Sequence, residues 1–401
     1  MNVKAIQKHF PALQKHPKMT FLDSAASSLK LKESIDAVVH YYEDEGCNIG
    51  RGTYTIEVVA SQTYEKTRDV VKTFINAPTC DSIVFTKGTT HALNMIAYHY
   101  ENILKEGDEI ITTELEHHAS FLPWQRIEAK KGATLLYAPL HDDLRIDVDG
   151  LVDMINDKTK VIAVTMVSNV MGYVTPLEKI IKRAHEVGAV VICDAAQAAP
   201  HMPLDVQALD CDFLAFSGHK VFGPTGVGVL YGKPELLDQM EPFEVGGAMI
   251  DDVKHHSYTM QKAPLKFEAG TPPIAQVIGL SPAIEFLMNL DHQETRKHVM
   301  DIQKYAVEKL SDIPDVTVHN PTSDTGIVTF SVKDIHAHDI QTFLSESDIA
   351  VRAGHHCARL IQYKLSVNST IRASIQIYNE KKDIDALVEV VKKARDFFVN
   401  Y

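Results

Sequence analysis

Seven short runs of β-branched and apolar residues are strung along residues 82–232: SIVFT (82–86), EIITT (109–113), TLLYAP (134–139), KVIAVTMV (160–167), AVVICD (189–194), DFLAF (212–216) and GVGVLYG (226–232). Each is almost continuously apolar, the pattern of strands covered on both faces. Helical patterns lie between many of them, such as THALNMIAYHYENILKEG and PLEKIIKRAHEVG, the second closing on Gly188, a good helix stop. Alternating strands and helices predict an α/β fold: a mostly parallel sheet with helices on both faces. After about residue 270 the pattern changes to long helices and short strands (VTVHN, TGIVTFSV) in α+β style. The expected division is a large domain over residues 21–279 and a smaller α+β domain made of residues 1–20 and 280–401.

Sheets of this kind bind ligands beyond the carboxyl ends of their strands. The first run is followed by Lys87-Gly88-Thr89-Thr90 opening a helix, where free amides can cradle a phosphate. The second is followed by His117 and His118, the fourth by Ser168 and Asn169, the fifth by Asp194 and Gln197, and the sixth by Ser217, His219 and Lys220. Taken singly these are ordinary: a strand-end aspartate is often a turn former, Gly-Thr-Thr a helix start, and a lone lysine a snorkelling side chain. Together they supply an amine for an aldehyde, an acid for a ring nitrogen and a phosphate cup, the set that pyridoxal phosphate requires. GPTGVG lacks the spacing and following helix of a nucleotide loop.

Composition narrows the class of partner. The net charge of −13 argues against nucleic acid and anionic membranes. No apolar run reaches the length of a transmembrane helix, and the polar start carries no signal-peptide core. Five cysteines without close pairing point to free thiols in a reducing cytoplasm, and no Cys/His set has zinc spacing, so no metal is expected.

The stretches FSGHKVFGPTGVGVLYGK, DAAQAAPHMPLDVQALDCDF, ELEHHASFLPW, FEAGTPPIAQVIGL and VRAGHHCA together resemble the cysteine desulfurases of the SufS/CsdA type, group II members of the class V aminotransferase family. The resemblance runs from LDSAASSLK (22–30) to RASIQIYN (372–379). It implies the pyridoxal phosphate fold type I, with a seven-stranded sheet in the large domain and the catalytic cysteine loop in the smaller one. It also implies a reaction converting L-cysteine, or L-selenocysteine, to alanine, with the sulfur kept as an enzyme persulfide for iron–sulfur cluster assembly. Selenocysteine lyases and other class V enzymes share the cofactor site and stand as the alternative.

By this resemblance Lys220 takes the cofactor's aldehyde, Asp194 pairs with the ring nitrogen, Gln197 approaches the phenolic oxygen and His117 stacks on the ring. Thr89, Thr90, Ser217 and His219 hold the phosphate, and Thr271 reaches the phosphate of a partner subunit in a homodimer. Arg372, with Arg352 and Asn169, binds the substrate, and Cys357 is the nucleophile, its thiolate favoured by His355, His356, Arg352 and Arg359. Two departures stand out: Gly50 and Tyr54 replace histidines usual in the family, and ARLIQYKL after Cys357 lacks the family's proline-leucine pair. In KDIHAHDI, His338 matches relatives that serve a zinc-bearing U-type sulfur acceptor rather than an E-type one; His336 and His338 also suit a helix start and a solvated surface.

Overall fold

The computed structural model describes residues 1–400; Tyr401, the last residue of the expected smaller domain, lies outside them. All seven apolar runs become strands of one sheet: β1 (Ile83–Thr86), β2 (Glu109–Thr112), β3 (Thr134–Tyr137), β4 (Thr159–Thr165), β5 (Val190–Asp194), β6 (Phe213–Ser217) and β7 (Gly228–Gly232). Their spatial order is β1-β7-β6-β5-β4-β2-β3. Strands β2 to β6 are parallel, and β7 runs antiparallel between β1 and β6, so the sheet is mixed with a parallel majority.

Successive strand residues point to opposite faces, and here both faces are apolar. On one, Ile110, Val161, Ile192 and Phe213 pack with Leu93 and Ile96 of the helix Thr89–Ile103 and with Trp124 and Ile127 of the helix His118–Lys131. On the other, Ile111, Ile162, Cys193, Leu214 and Phe216 pack with Tyr64 and Phe74 of the helix Thr55–Phe74 and with Ile180 and Ile181 of the helix Glu178–Glu186. Phe216 is fully buried, and truncating it to alanine would cost about 3–5 kcal/mol. Gly188 adopts φ 74° just after the helix Glu178–Glu186, the left-handed stop its position predicts.

A hairpin, β8 (Ile250–Lys254) and β9 (Ser257–Met260), carries no apolar alternation because it is exposed along nearly all of both strands. The helix Ile274–Met288 is apolar all round and accordingly buried. A second, antiparallel sheet follows, formed by β10 (Val316–Val318), β11 (Ile327–Val332), β12 (Arg352–Gly354) and β13 (Thr370–Ser374) in the order β10-β11-β13-β12. The start of the chain packs beside it: Thr20–Phe21 pairs in parallel with Ile349–Ala350, and Gln7 Nε2 donates to Tyr378 O at 2.8 Å.

Candidate active site

Strands β1, β2, β4, β5 and β6 all run in one direction and end at one edge of the large sheet. The chain reverses its spatial progression between β2 and β4, a topological switch point where such sheets open a crevice. A cavity of about 500 Å³ occupies this edge. Lys220, Asp194, Gln197, Ser217, His219, His117, Thr89, Thr90 and Asn169 line it from the large sheet, and Arg352, Arg372 and Cys357 from the smaller one. Thr271 is exposed and lies outside this lining. So do Gly50 and Tyr54, both exposed, which removes their departure from the cavity wall formed by this chain.

The floor is built by the strand ends. Lys220 closes a short turn (Gly218–Lys220) directly after β6. Burial lowers its ammonium pKa to about 8, against the opposing pull of the Asp194 carboxylate and with a further push from Arg372. Burial raises the Asp194 carboxyl, although Lys220 and a hydrogen bond from Ala196 N (2.9 Å) favour its charged form. Beside them, Ser217 Oγ accepts from Thr89 N at 2.8 Å and shares a 2.7 Å hydrogen bond with Thr89 Oγ1, tying the end of β6 to a helix N-terminus. A Cβ on Gly228 would fall 2.5 Å from Gly88 Cα, so only glycine lets β7 pass so close beneath that turn.

Glu116 staples the switch point. Its carboxylate is buried and accepts from Thr113 Oγ1 (2.8 Å), Ser120 Oγ (2.7 Å) and Thr165 N (2.9 Å), joining the ends of β2 and β4 to the helix His118–Lys131. Burial pushes its pKa up to about 7. The next residue, His117, caps that helix, its Nδ1 accepting from Ala119 N at 3.1 Å. Burial, then Lys220 and His118, lower His117 to about 4, so its ring is neutral. His219 is likewise lowered to about 4 by burial and by Lys220.

The facing wall comes from the small sheet. Arg352 and Arg372 sit directly opposite each other on β12 and β13, a repulsive register. Asp23 offsets it, pairing with Arg352 at 2.9 Å and with Arg372 at 3.5 Å. One unbalanced positive charge remains, suited to a carboxylate. Arg372 is buried, donates from Nη1 to Asn169 O at 2.8 Å, and is lowered by burial to about 10. The Asn169 amide donates to His356 O at 2.7 Å, committing that side chain to the cysteine loop.

His356 and Cys357 both adopt φ 54°, left-handed and strained for non-glycine residues by about 1–3 kcal/mol each. Bonds to the floor hold them there. His118 N donates to Cys357 O at 2.7 Å, and Arg359 N donates to His118 Nε2 at 3.1 Å. The segment after Cys357 forms a short helix, Arg359–Lys364, anchored by Lys364 to Glu114 at 2.7 Å. Cys357 itself is exposed. His356 is buried, meets Thr370 Oγ1 at 2.9 Å and is lowered to about 2 by burial and by Arg372. It adds no positive charge beside Cys357, contrary to the sequence expectation, because burial and the neighbouring arginines keep its ring neutral.

These residues fit pyridoxal phosphate. The floor offers an amine of lowered pKa, a buried carboxylate and the glycine-tight turn at Gly88, while Asn169 Oδ1, Gln197 Oε1 and Arg372 Nε are buried without hydrogen-bond partners. Sequence reasoning missed Asp23 and Glu116. Asp23 lies more than 300 residues from its arginine partners and has no local signal. Glu116 shares its polar turn with a second acid, Glu114, and its own charge was the one sign it gave.

Residues 20–387 match the family model described as aminotransferase class-V. The chain belongs to that family. Relatives named probable cysteine desulfurase include proteins of Halalkalibacterium halodurans, 45% identical with 99% of each chain covered, and Staphylococcus epidermidis, 44% identical with 99% of this chain and 98% of the relative covered. The crystal structure of the cysteine desulfurase CsdA from Escherichia coli superposes with a TM-score of 0.93 at 39% identity, covering 99% of each chain. The mixed seven-stranded sheet of this class-V member is therefore that of the pyridoxal phosphate-dependent desulfurases, fold type I.

Proposed function

We propose that this class-V family member is a cysteine desulfurase in which Lys220 and Cys357 act from opposite walls of one cavity. The observation that carries this reading is that both line the same 500 Å³ space, with the Cys357 backbone hydrogen-bonded to the turn bearing His117. Bound pyridoxal phosphate supplies an electron sink for the substrate's Cα carbanion. Thr89, Thr90, Ser217 and His219 hold its phosphate, Asp194 its ring nitrogen and Gln197 its phenolic oxygen, while His117 covers the ring. Thr271 serves the partner subunit's phosphate. Residues 21–279 form the cofactor domain, and residues 1–20 with 280–401 the domain that brings the cysteine loop.

Arg372, with Arg352 beside it, pairs with the substrate carboxylate. Lys220 would remove the α-proton, a role suited to an amine of pKa about 8. The Cys357 thiolate then attacks the substrate sulfur. The substrate's Cβ–S bond breaks, an S–S bond forms on Cys357, and alanine leaves once protons return to its carbons. L-selenocysteine would follow the same steps.

The sulfur goes to an acceptor protein for iron–sulfur cluster assembly. His336 caps the helix Ala337–Glu346, and His338 bonds Gln341 Oε1 through Nδ1 at 3.1 Å, which leaves Nε2 with a lone pair for a metal. That Nε2 lies 3.8 Å from where a side chain on Gly354 would begin, at the base of the cysteine loop. This supports a zinc-bearing U-type acceptor. Exposed Ile35, Val39, Ile56, Val58 and Val59 suit a homodimer interface. Free cysteines suit the cytoplasm, and no helix among the described residues is long and apolar enough to cross a membrane. Purified protein with cofactor, cysteine and a reductant is expected to release alanine and sulfide in equal amounts; alanine with no sulfide, or neither, overturns the reading.

A further inference from the structure

A second cavity, of about 520 Å³, shares no lining residue with the first. Its volume lies within the roughly 300–1,000 Å³ of small-molecule sites. Its walls are Val174, the turn Pro200–Pro203, the first turns of the helix His292–Ser311, and Gln376–Ile377. Three of these segments lead straight back to the active site. Val174 closes a turn whose Ser168 N donates to Tyr173 O at 3.0 Å, and Asn169 sits inside that turn. Pro200 follows Gln197 by three residues, and Gln376 follows Arg372 by four.

The lining has a definite chemistry. Val174, Met202, Val299, Ile377 and three prolines make an apolar body. The one carboxylate among the lining residues, Asp324, is consumed: it takes Arg145 at 2.6 Å and Val174 N at 3.0 Å. Arg296 has no such partner; it is exposed at the rim, and its guanidinium makes no ion pair or hydrogen bond among the described residues. The His201 imidazole makes no hydrogen bond either, and burial lowers its pKa to about 4, leaving a neutral ring with an N–H to donate. An apolar body with an unpaired guanidinium and an unused N–H complements a small molecule with an apolar tail and one acid group.

We propose that this cavity binds a small amphipathic carboxylate, and that its occupancy changes the affinity for the amino-acid substrate through the Asn169 turn and the Arg372 strand. The binding half stands apart from the desulfurase reading; the coupling half rests on it, and the two are read separately.

The probe is 4-phenylbutyrate, titrated calorimetrically into the holoenzyme beside the uncharged 4-phenylbutanol. Saturable binding of one acid per chain is expected, with the alcohol about tenfold weaker for want of the charge-assisted bond. Arg296→Glu, at an exposed position, should weaken the acid about as much and leave the alcohol unchanged. Met202→Trp, which fills the cavity, should remove both. No saturable binding, equal binding of acid and alcohol, or an acid affinity untouched by Arg296→Glu overturns the site. With binding established, saturating 4-phenylbutyrate should shift the KM for cysteine at least about twofold at constant kcat, the mark of changed ground-state binding; an unchanged KM overturns the coupling while leaving the site.

Discussion

The floor and the facing wall of the active-site cavity are made in opposite ways. Lys220, Asp194 and Ser217 stand at or just after the ends of β5 and β6, where the ladder of a buried sheet fixes the backbone. Cys357 is exposed on a turn of two left-handed residues, held by a few bonds to the floor. The difference follows the chemistry. An amine and an acid that work on one bound ring gain from rigid placement. A thiol that must take a sulfur atom and pass it on needs access from outside, at the cost of backbone strain.

The floor can be tested by removing its amine. Lys220→Ala is expected to lose cysteine turnover by about 10²–10⁴-fold or more, together with the visible absorption of covalently held cofactor. A variant that keeps normal turnover would break the division between floor and wall. On the wall, Asn169→Ala removes the bond to His356 O, about 1–3 kcal/mol of loop positioning. Sulfur transfer should slow by roughly ten- to a hundredfold while the cofactor absorption stays unchanged. Equal loss of both signals would mean that Asn169 belongs to the floor.

Acid should act on both regions at once. His117, His201 and His219 are lowered to about 4 and His356 to about 2, so between pH 6.5 and 4 the unfolded chain binds protons that the fold excludes. Stability therefore falls as pH drops through that window, by up to about 1.4 kcal/mol per pH unit for each such group. Glu116, raised to about 7, and Asp194, also raised by burial, work in the opposite sense but are outnumbered by the four histidines. Urea midpoints of the holoenzyme between pH 7.5 and 5 check the sign; a midpoint that rises on acidification contradicts it. The smallest effect is expected at His338. His338→Ala should leave basal desulfuration with a reductant unchanged and remove stimulation by a zinc-bearing acceptor. Stimulation equal to the wild type would make His338 plain surface.

What could be read from the sequence divides along the same line. All seven strands and most floor residues were legible, because a strand buried on both faces leaves a continuous apolar run and the ligand-facing residue comes immediately after it. The hairpin β8–β9 was not, since strands exposed on both faces carry no period-two signal. Cys357 was legible through resemblance, but its environment was not. The Asp23 bridge between Arg352 and Arg372 and the Asn169 bond to the loop depend on contacts across more than a hundred residues, and the neutral His356 on burial that no local pattern shows. Glu116 shows the remaining gap: its neighbour His117 was found, while the carboxylate that fixes the turn beneath it gave no sign beyond its own charge.

The most direct test of two chemistries on two walls is to find the sulfur. The holoenzyme is mixed with L-cysteine, its thiols are alkylated, and peptides carrying each of the five cysteines are weighed by mass spectrometry. The account predicts one additional sulfur atom on the Cys357 peptide alone, absent in Lys220→Ala. Sulfur on Cys47, Cys80, Cys193 or Cys211 instead, or alanine and sulfide released at full rate by Cys357→Ser with no persulfide formed, would contradict it.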